Sequence, residues 1–225
     1  MKMKEMLTSS IYFGIAITII ALRINRRFKL TILNPLIISI LLIIGLLSLF
    51  NIDYDDYYKG GQYISFLLTP ATVCLAIPLY QQLELLKKNL KAVIVGITAG
   101  VISSLISIYI LAKLLNLSSS LYISLLPKSI TTAIGISLSE ELGGIPTVTV
   151  LSILTTGLTG NLLAEYILRL FRIKSPISKG LAIGTSSHAL GTSKALELGR
   201  VEGAMSSLSI AIAGILTVLL APFFV

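Results

Sequence analysis

The chain is 225 residues long; 55% of its residues are hydrophobic and only 12% are charged. Its mean hydropathy of +0.93 goes with about half the charge of an ordinary soluble domain, which excludes a water-soluble globular protein and points to an integral membrane protein. The formal net charge of +8 then reads as membrane topology and contact with anionic lipid, not nucleic-acid binding.

A helical span uses about 20 residues, so the length allows one all-α domain of about six to eight membrane elements. The first apolar run, Leu7 to Leu22, ends in Arg23, Arg26, Arg27 and Lys29 instead of a small-residue cleavage site, and is expected to be a span and not a removable signal. Leu30 to Phe50, Tyr63 to Tyr80, Ala92 to Ala112, Ile145 to Leu170 and Ala204 to Val225 supply five more apolar runs. Tyr54, Tyr57, Tyr58 and Tyr63, within Asp53 to Tyr63, are suited to anchoring at the membrane interface. The single cysteine, Cys74, excludes an internal disulfide; in its apolar stretch it is expected to be a small buried hydrophobe.

Lysine and arginine set the orientation. Clusters follow the first run (Arg23 to Lys29), the third (Lys87, Lys88, Lys91) and Leu170 (Arg169, Arg172, Lys174, Lys179), and all three are expected on the cytoplasmic side. The N-terminus is then outside, as are Asp53, Asp55 and Asp56. Two stretches, Ser118 to Gly144 and Ser178 to Gly203, are too rich in Gly, Ser and Pro to face lipid as ordinary helices. Parity makes the first begin and end outside and the second inside, as re-entrant hairpins; the alternative is a kinked span or a surface loop with a short helix. A shift of 57 positions aligns Leu125, Pro127 and Ser129 with Leu68, Pro70 and Thr72, and Thr155, Gly157 and Tyr166 with Thr98, Gly100 and Tyr109. The same step again aligns Gly214, Leu219, Leu220 and Ala221 with Gly157, Leu162, Leu163 and Ala164, and the last two of these three units would be oppositely oriented, the inverted repeat of secondary transporters with a site where broken helices meet. The expected organisation is a single transmembrane domain, residues 1–62 as scaffold helices and 63–225 as a transport core.

Pro127 interrupts any helix through Leu126 to Pro146, freeing backbone groups that protein, water or a ligand must satisfy. With Lys128, Ser129, Thr131 and Thr132 around it, the restarted helix offers a cradle for an anion; a proline kink with self-capping hydroxyls is the alternative. In the second stretch Gly184 and Gly191 permit close helix approach, while Thr185, Ser186, Ser187 and Thr192 supply hydroxyls. His188, the only histidine, is a candidate proton-linked partner of a carboxylate, or a neutral histidine bonded at a helix contact. Glu165, within an apolar run, is a second candidate proton site, or an acid paired with Arg169 one helical turn away. Lys194, Glu197 and Arg200 are spaced to share one helix face as a structural charge network.

The remaining residues favour no enzyme and no cofactor. One His and one Cys leave no metal-ligand spacing, there is no Gly-x-Ser-x-Gly elbow, and there is no Walker sequence.

NPLIISI (Asn34 to Ile40), LLTPATVCLAIPLY (Leu67 to Tyr80), LPKSITTAI (Leu126 to Ile134), GGIPTVT (Gly143 to Thr149), the long block Gly180 to Ser209 and the trailing LAP (Leu220 to Pro222) resemble the LrgB family of CidB-like, antiholin-like membrane proteins over nearly the whole chain. The resemblance implies one of two functions. One is partnership with a small holin-like protein, LrgA or CidA, in modulating murein hydrolase export and autolysis. The other is transport of small monocarboxylates such as glycolate, glycerate, lactate or pyruvate, because related plastid proteins carry glycolate and glycerate and bacterial members are linked to pyruvate uptake. The residues above fit the transporter better. Asn161 and Glu165 depart from the small residues the family tends to place in that span, which leaves the substrate open. Gly96 and Gly100 form a small-xxx-small pair that packs helices within the chain or across a homodimer.

Overall fold

The computed structural model describes residues 2–28, 35–67, 70, 74 and 76–225. They form helices and no strands, in two compact units, Met1–Cys74 and Leu75–Val225.

In the first unit α1 (Lys2–Phe28) packs against both α2 (Pro35–Leu49) and α3 (Tyr54–Phe66). Ile17 and Ala21 are buried in α1, and Tyr57 of α3 lies over Gly14, where even a methyl group would sit 3.1 Å from the phenol oxygen. The third expected span, Tyr63 to Tyr80, is not a single helix among the described residues: α3 ends at Phe66, a further short helix begins at Ala76, and residues 68–69, 71–73 and 75 lie outside the described residues. Cys74 corrects an expectation: it is exposed. In a membrane protein an apolar neighbourhood marks lipid-facing and protein-facing positions alike, so it cannot signal burial.

The second unit begins with two short helices, α4 (Ala76–Gln81) and α5 (Leu83–Lys88), and continues with α6 (Leu90–Leu114), α7 (Ser119–Leu125), α8 (Thr132–Leu142), α9 (Pro146–Leu170), α10 (Pro176–Leu198) and α11 (Arg200–Leu220), closed by a 3-10 turn at Ala221–Phe224. Among the described residues three helical segments are long and apolar enough to cross a membrane, Leu90–Leu114, Pro146–Leu170 and Arg200–Phe224; Gly14–Asn25 and Ile38–Leu49 are shorter apolar stretches. The chain is an all-α membrane protein.

Four helices end in the same way. At Asn51, Asn116, Gly143 and Arg172 the backbone turns to positive φ, and the two amides at and after each residue bond back to the last-turn carbonyls, as in Ile173 to Leu168 at 2.9 Å and Gly144 to Ser139 at 2.7 Å. This is the Schellman cap, which pairs carbonyls the helix end would leave orphaned.

The second polar stretch folds back on itself. The helix is broken at His188 (φ 42, ψ −138). A Cβ on Gly191 would lie 2.9 Å from Ile183 Cγ2, although residues eight apart in a continuous helix are about 12 Å apart. α11 records both arms: Gly180 and Gly184 of the first arm abut Glu202, Met205 and Ser206, Thr192 of the second bonds Ser206 at 2.7 Å, and Leu196 packs on Gly203. The arms therefore enter and leave at one end, and the tip at His188 lies beside the middle of α9.

The first polar stretch breaks at Pro127. α7 and α8 flank the break, and α8 runs back along α9, with Ser139 bonded to Thr149 at 2.7 Å and Gly135 against Ile153. Its mouth, at Ser124 and Ile145, is at the start of α9; the mouth of the second hairpin is at α9's end. The two broken segments thus approach from opposite ends of one helix.

Between helices in lipid there is no hydrophobic gain to hold the bundle, so close backbone approach does that work. A Cβ on Gly184 would collide with the Ser206 carbonyl, whereas one on Gly45 would meet nothing. Gly184→Ala should therefore cost about 1–3 kcal/mol by overpacking, while Gly45→Ala stays neutral or slightly stabilising. Midpoints of detergent-induced unfolding followed by circular dichroism read both; equal midpoints would show that the α10–α11 contact is looser than described.

Candidate functional site

Proline has no amide hydrogen and cannot continue α7. The chain instead makes two tight turns, Lys128 N–H to the Leu125 carbonyl at 3.1 Å and Ile130 N–H to the Pro127 carbonyl at 3.3 Å, before Thr131 in extended conformation starts α8. Pro127 and Ile130 are buried. Lys128, between them, projects the other way: its ammonium donates to Ser129 Oγ at 3.0 Å and Ser104 Oγ, in the middle of α6, at 3.3 Å.

No carboxylate pairs with it among the described residues. A partly buried ammonium satisfied only by hydroxyls keeps its full charge uncompensated, which costs free energy unless an anion joins it.

Beside it lies a cavity of about 540 Å³ between α6 and the first arm of α10. Ser103, Ser104 and Ser107 wall it on one side, and Thr185 and Ser186 on the other, with Lys128 and Ser129 at the tip of the first hairpin. It extends along α6 to Ala92 and Ser178, toward the ends of these helices that carry the basic clusters. Thr185 Oγ1 is buried and has no hydrogen-bond partner among the described residues. Gly96 and Gly100 let this arm approach α6, with Cβ positions meeting Leu181 at 3.4 Å and Thr185 Cγ2 at 2.7 Å. The small-xxx-small pair therefore packs helices within the chain.

Of the residues expected to form the site, Lys128, Ser129, Thr185 and Ser186 converge on this cavity. The others do not. Thr131 and Thr132 begin α8 outside its wall, and Pro127 makes the break without reaching the cavity surface. Gly184 is filled by Ser206 and Gly191 by Ser187 and Ile183. Ser187 turns to α9, where a Cβ on Gly160 would overlap its hydroxyl. His188 is buried against α9: Nε2 lies 3.0 Å from the Ile153 carbonyl, which can only accept, so this nitrogen carries the proton. Thr192 donates to the His188 carbonyl at 3.0 Å, and Asn161 Nδ2 to the Leu190 carbonyl at 2.8 Å. The His188 and Leu190 carbonyls at the reversal thus find side-chain donors, as an apolar surrounding requires.

Glu165 is also away from the cavity. Arg169 holds it at 2.9 Å and Lys194 at 2.8 Å, and Lys194 reaches Glu197 at 3.0 Å. The expected trio is corrected at Arg200: the helix ends at Leu198, Gly199 is extended, and Arg200 starts α11, so it does not share a face with Lys194 and Glu197.

The α6 serines were not anticipated. Their signal was present as three hydroxyls at helical spacing in an apolar run, Ser103, Ser104 and Ser107, but serine in a membrane helix can bond its own backbone, as Ser107 does with Ser104 at 2.8 Å.

Two substitutions separate pairing from vacancy. Asn161→Leu removes one of the two side-chain donors on the Leu190 carbonyl, Ser193 Oγ at 2.7 Å being the other, and should cost about 0.5–1.5 kcal/mol, whereas Thr185→Val removes an unpartnered hydroxyl at constant shape and should raise stability or leave it unchanged. Unfolding midpoints in detergent without added anion are the readout, and a destabilised Thr185→Val would contradict the unpaired hydroxyl.

The sequence profile of the LrgB-like family matches residues 14–225. The chain is 41% identical over 223 residues to Antiholin-like protein LrgB of Bacillus subtilis (strain 168), covering 97% of this chain and 96% of that protein. It is 39% identical over 222 residues to the proteins of the same name from Bacillus mycoides (strain KBAB4) and Bacillus cereus (strain B4264), covering 96% of this chain and 96% of each. No solved structure matches the chain.

Proposed function

Because the chain belongs to the LrgB-like family, we propose that it is an antiholin-like protein of the cell membrane that acts with a small holin-like partner to restrain murein hydrolase release. The observation carrying this reading is similarity over 96% or more of the chain to relatives bearing that name. The three basic clusters lie inside and the N-terminus outside. Deleting the chain should raise the rate of detergent-stimulated autolysis several-fold, and a tagged copy should retain the holin-like partner through purification. An unchanged rate together with no retained partner would contradict it.

The cavity favours a second reading, a secondary transporter of small monocarboxylates such as glycolate, glycerate, lactate or pyruvate, without cofactor or catalysis. An ammonium lacking a carboxylate in a hydroxyl-lined cavity between two broken helices is what a small organic anion would complete. Lys128 supplies charge, Ser104, Ser129, Thr185 and Ser186 supply hydrogen bonds, and His188 fixes the second hairpin from behind. Labelled pyruvate and glycolate should enter proteoliposomes above empty vesicles. Lys128→Met should lower uptake by about tenfold or more, since a hydrogen bond to a charged group contributes about 1.5–3 kcal/mol. Absence of flux under every imposed pH gradient would sink this reading, and autolysis control that persists in Lys128→Met would separate the two.

A further inference from the structure

Where α9 ends and α10 begins, a second cavity of about 390 Å³ is ringed by Arg169, Arg172, Lys174 and Lys179. Its floor is apolar, formed by Leu168, Ile173 and Leu198. The one carboxylate in its wall, Glu165, is already shared between Arg169 and Lys194. Arg172, Lys174 and Lys179 have no acidic partner among the described residues.

The backbone supplies a separate observation. Three of the four Schellman caps place glycine or asparagine at the positive-φ residue: Asn51, Asn116 and Gly143. These types tolerate left-handed backbone. α9 places Arg172 there, at φ 54. Glycine would close the helix with less strain, so the cap does not explain the arginine; its guanidinium at the cavity rim does.

The position of the cavity selects the ligand. α9 is a membrane-crossing helix by length and hydropathy, and its end is where lipid phosphates lie. We propose that this cavity binds the phosphate of an anionic phospholipid, with Arg172, Lys174 and Lys179 on its oxygens and the start of an acyl chain over Leu168, Ile173 and Leu198. A soluble phosphate ester would meet the same cations but leave that floor exposed to water. Basic pockets between helices at the cytoplasmic interface recognise such headgroups. The bound lipid would span the junction between α9 and the first arm of the α10 hairpin.

The test uses the full chain in nanodiscs of phosphatidylcholine doped with fluorescent phosphatidylglycerol, with native mass spectrometry of the detergent-purified protein as a second readout. The wild type should retain phosphatidylglycerol over phosphatidylcholine. Arg172→Gly keeps the cap and should fold with an unchanged or higher unfolding midpoint, yet lose about fivefold in anionic-lipid preference; Lys174→Gln/Lys179→Gln should lose more, at about 1 kcal/mol per cation. Lys87→Gln/Lys88→Gln, in a basic cluster outside the cavity, should leave the preference intact. Equal retention by Arg172→Gly and the wild type would overturn the proposal, as would an equal loss in the Lys87/Lys88 variant, which means a diffuse basic surface. Full displacement of lipid by millimolar glycerol phosphate would also overturn it, in favour of a soluble phosphate ligand.

Discussion

The imidazole of His188 donates to the carbonyl of Ile153 at 3.0 Å, and the arrangement of the second unit hangs on that contact. In a continuous helix this carbonyl serves the amide four residues on, that of Gly157. It has a second lone pair to offer, and because Gly157 has no side chain the imidazole can reach it. The side chain of the same Ile153 fills the space over Gly135 of the other hairpin. One turn of α9 is therefore the common reference for both chain reversals. A helix broken within an apolar bundle is tolerated only if its released groups are paired. The His188 backbone, in a sparsely populated conformation that costs about 1–3 kcal/mol, is held by its own ring, by Thr192 and by the Asn161 bond to Leu190.

That pairing divides the polar residues into two populations. Those at the contacts of the second hairpin with α9 and α11, namely Ser187, His188, Thr192 and Asn161 of α9, are satisfied and structural. Those facing α6, namely Lys128, Ser129, Thr185 and Ser186, have spare capacity: an ammonium without a counter-charge and a hydroxyl without a partner. Such groups reduce stability in the empty protein, and proteins keep them where a ligand or partner restores the balance. Both functional readings draw on this asymmetry, one for an anion in transit and the other for a membrane complex.

The sequence displayed the breaks more clearly than the contacts. Pro127 marks the first reversal because a missing amide hydrogen is a local property of the chain. The glycine- and hydroxyl-rich run around His188 marks the second because lipid does not tolerate it as an ordinary span. What lies across from each residue is not local. Thr185 and Ser187 are two residues apart, yet one walls the cavity and the other packs on Gly160. His188, the most conspicuous candidate on residue type, is committed to a carbonyl 35 positions earlier. Cys74 shows the same limit, since apolarity does not tell lipid from protein interior. The ion pair of Glu165 with Arg169 was legible at helical spacing; its bond to Lys194, from another helix, was not.

The central claim is that the break at Pro127 carries Lys128 to the middle of α6 within the membrane. Ser104 and Ser129 place their hydroxyl oxygens 3.4 Å apart across that contact. In a Cys74→Ser background, Ser104→Cys/Ser129→Cys should form an intramolecular disulfide on mild oxidation in lipid vesicles, seen as a mobility shift reversed by reductant. Efficient cross-linking is the predicted result. Free thiols at both positions after oxidation, each open to a water-soluble maleimide from opposite faces of the membrane, would contradict it.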